Sequence, residues 1–537
     1  MSERAGRSGL VAAVPVAFLV VFFVWPSGHV LVRAFGAGAL REVLTDPTFR
    51  RVLWFTSWQA VLSTALTFGA GLPAAYVVAR YDFTGRRLFR AFVTVPFVMP
   101  TVVVAVAFLA LLRPGGAFAF LGWDRGLAPM IVAQVFFNVA VVVRIVGGFW
   151  ANLDVRREDA ARMLGASRAR VFREVTLPLL APALVAAASI VFLFTFTSFG
   201  VVLLLSDPAH ATLEVEIYRQ AFAYFDLPVA AALSLVQIVV VATVLWALSR
   251  AQERSALPQR LVAADVTARR PRGRERLFVA GVIGVTTVFL ALPLVALALR
   301  SVRPGGEWSA SAYRALATRP ATTTSVVSPG LAIRNSVLFA VVATVIALVV
   351  GGCAAFAVAA RSRRVGRPLD VLVMLPLGAS SVTVGLGFLL TFGSPPLDLS
   401  GAWILIPIAH ALIAIPFVVR AVAPALRSID PRLRDAAAVL GASPRAVWRE
   451  VDLPIVTRAF AVAAGFCAAV SLGEFGATLF LTRPEWSTVP VAIQRLLGRP
   501  GEANVSQSLA LATVLMGLTV VIVLAMERVR VRHLGEL

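Results

Sequence analysis

Apolar residues fall into runs too long for a soluble core, separated by short segments that carry arginine. A run of about 18 or more apolar residues can cross a bilayer as a helix. By this measure the pattern predicts spans at 10–32, 53–79, 91–112, 128–150, 179–205 and 228–248, then at 278–299, 336–359, 369–392, 402–424, 455–481 and 509–526. The first run follows Arg4 and Arg7 and is too long for a signal-peptide core, so it reads as an uncleaved span. A polar stretch with Pro258 and Pro271 breaks the series at 250–276. The reading is therefore all-α and polytopic: a half at 1–249, an arginine-rich linker at 250–276, and a half at 277–537, each with six spans. Within the runs, Pro96, Pro100 and Pro376 predict kinked or broken helices, while Gly69, Gly71, Gly351 and Gly352 predict close helix packing.

Composition narrows the function. The 537 residues are 59% hydrophobic and 15% charged, with a formal net charge of +22. All 50 basic residues are arginine, since the chain has no lysine. In a soluble protein such charge would suggest nucleic acid; here it gathers between apolar runs, as cytoplasmic positive charge requires of a membrane protein. Arginine is dense at 80–90, 250–276, 361–367 and 528–532, whereas the segment 207–226 has four acids against one arginine. This charge pattern places both termini in the cytoplasm of a multi-pass cell-membrane protein, with lipid rather than nucleic acid as its surroundings. Without lysine there is no P-loop, and no zinc-type cluster or nucleophile elbow appears, so the chain reads as a non-enzyme. Cys353 and Cys467 lie in apolar runs and imply no disulfide framework.

One stretch occurs twice. Asp159-Ala160-Ala161, with Gly165 and then Val175 and Leu177-Pro178, repeats as Asp435-Ala436-Ala437, Gly441, Val451 and Leu453-Pro454. The shift is 276 at both glycines (441 − 165) and both prolines (454 − 178). Val142-Val143-Arg144, Phe199-Gly200 and Thr212 to Arg219 recur at the same shift, so the repeat spans whole halves. An even number of spans per half makes the repeats parallel. Each copy reads as a short helix, a break at glycine and a second short amphipathic helix, with Phe172 or Trp448 as an aromatic knob offered to a partner.

The pattern acid-Ala-Ala, three residues, Gly, nine residues, aliphatic, one residue, Leu-Pro resembles the EAA loop of permeases of type I binding-protein-dependent ABC importers. Asp159 and Asp435 stand where that family usually has Glu, and Val175 and Val451 where it often has Ile. The resemblance implies that the loops at 154–178 and 430–454 form coupling helices. Asp159, Ala160, Gly165, Phe172 and Pro178, with Asp435, Ala436, Gly441, Trp448 and Pro454, would be their residues. It further implies two copies of a cytoplasmic ABC ATPase, an extracytoplasmic solute-binding protein, and no cofactor on this chain, ATP being bound by the ATPase. Two halves in one chain, the segment Thr212 to Asp226 and the run Val135-Phe136-Phe137-Asn138 are similar to thiamine and iron(III) permeases. Sulfate, molybdate, polyamine and phosphonate remain possible cargoes.

Polar groups inside spans mark a candidate pathway: Asn138, Ser198, His410 and Glu474, with Gln134 equivalent to His410 and Ser198 to Glu474. The plainer reading is hydrogen bonding between helices. Glu474, Glu214, Glu216 and Asp226 would suit a cationic cargo. The alternative class is an ion-gradient-driven secondary transporter with two parallel repeats, for which twin docking loops have no use.

Overall fold

A computed structural model describes residues 2–36, 38–255, 268–317, 328–359, 366–393, 395, 397–399 and 401–531. Arg260 and the linker core at 256–267, Arg361, Arg363, Arg364 and Arg532 lie outside the described residues. Among the described residues ten helices are long and apolar enough to cross a membrane: Val11–Ala34, Pro47–Arg80, Leu127–Ala151, Arg168–Phe196, Leu227–Gln252, Arg274–Ser301, Pro329–Ala359, Leu405–Ser428, Trp448–Gly473 and Glu502–Met526.

The other two predicted spans are bent pairs. Arg86–Val98 meets Thr101–Leu112 at 100°, and Gly366–Gly378 meets Ser381–Phe392 at 99°. In the first pair the cause is Pro100, which holds Met99 extended at ψ 139°. In the second, Pro376 lies two residues from the helix end, and Ser380 restarts the chain by accepting from Thr383 N at 3.0 Å.

Hydrogen bonds show that both pairs carry the chain from one end of the bundle to the other. Arg86 Nη2 donates to Val78 O at 2.8 Å, beside Arg80 and the first twin loop. Past Leu112, Pro114 O accepts from Arg300 and Gly126 N donates to Leu205 O, at the opposite helix ends. Likewise Gly366 abuts Val358, whose carbonyl accepts from Arg427, while Leu399 N reaches back to Phe392 O and Gly401 lies against Arg483. Each pair therefore reads as one broken span rather than a re-entrant loop.

The predicted spans 179–205 and 455–481 are broken too. Helix Arg168–Phe196 stops at Thr197 and resumes as Gly200–Leu205; helix Trp448–Gly473 stops at Glu474 and resumes as Gly476–Leu481. Apolar content cannot reveal these breaks, because the residues on either side are apolar.

The chain forms two compact units, residues 41–216 with 236–300, and residues 1–40 with 217–235 and 301–537. The first helix of each repeat thus packs in the unit built mainly by the other repeat. Val11–Ala34 lays Phe22 and Trp25 on Phe392, with ring centroids 5.9 and 5.8 Å apart, and Pro26 on Gly387. Arg274–Ser301 sets Phe289 6.0 Å from Phe136, and Arg300 Nη1 donates to Ala110 O.

Inside each unit the main seam is lined by small residues. A Cβ on Gly71 would stand 2.8 Å from Val142 Cβ, and one on Gly351 would stand 2.8 Å from Val418 Cβ. Backbones approach that closely only where a side chain is missing. The seam glycines are offset by 280 (351 − 71) against 276 for the valines (418 − 142), because the connection after Leu112 is longer than the one after Phe392.

Candidate functional site

The twin loops share one backbone. In the first copy Asp154 Oδ1 accepts from Arg156 N, and helix Arg156–Met163 follows. Gly165, at φ 84°, ends it: Gly165 N donates to Arg162 O at 2.9 Å and Ala166 N to Ala161 O at 3.1 Å. In the second copy Asp430 Oδ1 accepts from Arg432 N and helix Pro431–Val439 follows. Gly441, at φ 83°, ends it with Gly441 N on Ala438 O and Ala442 N on Ala437 O, both at 3.0 Å. This pair of backward hydrogen bonds is a Schellman motif, which needs a left-handed residue and so favours glycine.

Beyond the break the structure corrects the sequence reading. The second short helix is not separate: Arg168–Val171 runs through a π-helical turn at Phe172–Thr176 into Leu177–Phe196, and Pro444–Val447 runs through Trp448–Asp452 into Leu453–Gly473. Pro178 and Pro454 sit in the first turn after each π turn, where a missing N–H costs nothing. Each aromatic knob also touches its own unit, although Phe172 remains 45% exposed and Trp448 half-buried. Phe172 lies 6.2 Å from Trp150, and Trp448 lies edge-on to Phe356 at 4.9 Å, so each seats its loop on its own unit. Phe172 closes one side of an apolar cavity of about 400 Å³ with Leu72, Tyr76, Trp150 and Phe278.

The residues bared instead are Met163 and Leu164, 88% and 89% exposed, and Val439 and Leu440, 88% and 87% exposed. They sit at the tip, just before the glycine. Their exposure was missed because a short run of two apolar residues carries no periodicity; their position beside a helix-ending glycine is the signal that could have found them. Asp159 is also exposed and bonds Arg162 at 3.3 Å, while Ala160 and Ala436 lie on the loop helices.

An ion pair clamps each loop, with different residues. In the first copy Glu158, one position before the expected acid, pairs with Arg80 and accepts from Thr176 Oγ1 at 3.1 Å. In the second, Arg434 holds the position of Glu158 and Asp452 that of Thr176, and Arg434 Nε meets Asp452 Oδ1 at 2.7 Å. Both arrangements tie the loop helix to the root of the next span. Asp435 is exposed, like Asp159. Beside the first clamp, Arg269 N donates to Arg80 O and Asp82 N to Arg269 O, which fastens the described end of the linker. Burial pushes the neighbouring Tyr81 hydroxyl up to about 12, so it stays protonated beneath the Arg269 guanidinium.

The pathway candidates assemble into one cluster per unit, each beside a helix break. Glu474 caps Gly476–Leu481: Oε1 accepts from Ala477 N and Oε2 from Thr478 N, both at 3.0 Å, and Thr478 Oγ1 donates to Oε2 at 2.6 Å. His410 Nδ1 meets Ser471 Oγ at 2.7 Å and Nε2 meets Thr478 Oγ1 at 2.8 Å. In the other unit Asn138 Nδ2 donates to Gln134 O at 3.0 Å and to Thr195 Oγ1 at 3.3 Å, and Ser198 is buried at the break. The outer acids are also placed inside: Glu214 is fully buried and accepts from Gln237, Glu216 is buried, and Asp226 caps the following helix through Val229 N.

The family model for binding-protein-dependent transport system inner membrane components matches residues 68–255. A thiamine transport system permease protein, ThiP, of Brucella abortus (strain 2308) is 28% identical over 500 residues, 90% of this chain and 88% of that protein. A putative 2-aminoethylphosphonate transport system permease protein, PhnV, of Salmonella typhimurium is 32% identical over 194 residues, 36% of this chain and 72% of that protein. A bacterial ABC transporter involved in alginate import, solved by crystallography, aligns with a TM-score of 0.39 at 18% identity, over 47% of this chain and 98% of that one. Matched along one half by the family model and along nearly its whole length by a relative, the chain belongs to the binding-protein-dependent inner-membrane family, as a permease of an ABC importer with both halves fused.

Proposed function

We propose that this permease imports thiamine, delivered by an extracytoplasmic binding protein, with two copies of a cytoplasmic ABC ATPase seated on the loops tipped by Met163-Leu164 and Val439-Leu440. The observation that carries the ATPase assignment is the pair of identical Schellman breaks with bare apolar tips. Two fully exposed apolar residues on a rigid, clamped loop are costly in water and gain about 25 cal/mol per Å² when a partner covers them. Each repeat, 1–249 and 277–537, then contributes one of the two docking loops, and the linker at 250–276 joins the repeats. The loops and both termini face the cytoplasm, as the arginine distribution supports. ATP is bound by the partner and no cofactor by this chain. Family membership removes the ion-gradient carrier.

Thiamine is favoured over 2-aminoethylphosphonate because the thiamine permease relative matches both halves and the phosphonate permease relative only one. Iron(III) has no comparable support. The test is reconstitution in liposomes with an ATPase and a binding protein of the same importer. Thiamine-loaded binding protein is expected to stimulate ATP hydrolysis and thiamine uptake, and Leu164→Ser with Leu440→Ser to abolish both by weakening ATPase docking. A folded permease that binds no ATPase would overturn the docking assignment; an assembled, hydrolysing complex indifferent to thiamine would overturn the cargo.

A further inference from the structure

Three buried polar atoms on one face of helix Leu127–Ala151 have no protein partner: Gln134 Oε1, Gln134 Nε2 and Asn138 Oδ1. The two side chains lie one turn apart and each is 2% exposed. The Asn138 amide is oriented by its own Nδ2, which donates to Gln134 O and Thr195 Oγ1, so Oδ1 is the atom left open. Buried polar groups in membrane proteins are normally satisfied internally.

The other repeat shows what satisfaction looks like at this place. His410, equivalent to Gln134, has both ring nitrogens engaged by Ser471 and Thr478 and lies beside Glu474. In the first repeat the shift of 276 puts Ser198 in place of Glu474 (474 − 276) and Val202 in place of Thr478 (478 − 276). The carboxylate and one hydroxyl that close the cluster in one half are reduced to a serine hydroxyl and a methyl in the other. Gln134 replaces the imidazole, and of the groups around His410 only the Ser471 hydroxyl has a counterpart that still bonds, Thr195 on Asn138.

We infer that Gln134 and Asn138, with Thr195 and Ser198 around them, form a cargo-contact site in the first half, built for a neutral heteroaromatic edge with an amino donor beside a ring-nitrogen acceptor. A carboxamide pairs with such an edge through two hydrogen bonds, as Asn and Gln do with adenine. Gln134 Nε2 donates to the ring nitrogen, and the amino group donates to Gln134 Oε1 and Asn138 Oδ1. The aminopyrimidine ring of thiamine has this edge. None of the four residues carries a formal charge, so the site reads hydrogen-bond pattern and not the cationic ring of thiamine. The inference rests on the thiamine reading above.

The test uses the complete complex in liposomes and compares uptake of thiamine with that of its analogue carrying hydrogen in place of the ring amino group. The ratio of the two is taken for the wild type, Gln134→Met and Asn138→Leu. A neutral hydrogen bond corresponds to about tenfold, so the preference for thiamine is expected to fall about tenfold in Gln134→Met. Because the ratio is internal to each protein, poor folding or a selective binding protein cancels. An unchanged ratio, whether uptake is normal or equally reduced for both compounds, overturns the inference and leaves the open atoms to water alone. A wild-type complex that assembles and hydrolyses ATP but imports no thiamine overturns the thiamine reading and the inference with it, an outcome distinct from the first.

Discussion

His410 Nε2 lies 3.3 Å from Glu474 Oε2, and the two side chains close the break between Leu453–Gly473 and Gly476–Leu481. Glu474 therefore acts on the backbone as a cap. Glu474→Ala would leave the N–H groups of Ala477 and Thr478 without their acceptor in the interior and remove the carboxylate beside His410. A loss of roughly 3–5 kcal/mol is expected. The double change His410→Gln with Glu474→Ser, which copies Gln134 and Ser198, should cost less than Glu474→Ala alone. Thermal unfolding in detergent decides this, and equal melting of Glu474→Ala and wild type would remove the capping role.

The two loop clamps differ in burial, and the difference sets their energies. The side chains of Arg80 and Glu158 are 8% and 12% exposed, whereas Arg434 is 39% exposed. Glu158→Gln strands a buried guanidinium and should cost roughly 3 kcal/mol or more. Asp452→Asn leaves Arg434 free to turn to water and should cost about 1 kcal/mol or less. Limited proteolysis at each loop should follow that order; the reverse order would show that burial does not govern the clamps.

Gly165 and Gly441 have nothing within 4 Å of an added Cβ, so any penalty for substitution comes from backbone conformation alone. A left-handed β-branched residue costs on the order of 1–2 kcal/mol, enough to undo a two-turn helix but not the protein. Gly165→Val with Gly441→Val should retain the melting temperature and lose ATPase stimulation. Asparagine at both positions should largely preserve it, since asparagine tolerates positive φ. Stimulation that survives the valine pair would sever the loops from coupling.

Gly71→Ala should destabilise by roughly 1–3 kcal/mol, because the new methyl meets Val142 Cβ at 2.8 Å. Val142→Ala should restore much of the loss, and Val418→Ala should do the same for Gly351→Ala. Gly69→Ala is expected to be silent, since nothing lies within 4 Å of its added Cβ. The measurement is the melting temperature of single and double variants, and additive losses without rescue would contradict the seam.

The repeat shows how far local pattern reaches. Gly165 and Gly441 were legible as helix stops because a Schellman turn is made by a few neighbouring residues. Gly71 and Gly351 were legible as packing positions for a similar reason, though their contacts on Val142 and Val418 were not. Phe172 and Trp448 were legible as aromatic positions on an amphipathic helix, but their ring contacts with Trp150 and Phe356 were not, because a helix pattern shows which face is apolar and only its neighbours show what that face meets. Glu158 was passed over for Asp159, since an acid's burial depends on Arg80, distant in the chain.

Taken alone, the sequence determined the membrane class, the internal repeat and the glycine breaks of the twin loops, because span length and repeat spacing are properties of consecutive residues. Tertiary structure decided that the first helix of each repeat packs in the unit of the other, that the apolar loop tips are barer than the aromatics, and that the Glu474 side chain is saturated while that of Gln134 is not. Those outcomes turn on which side chains meet across hundreds of residues, where a hydrogen bond is made or lost by distances that no local pattern encodes.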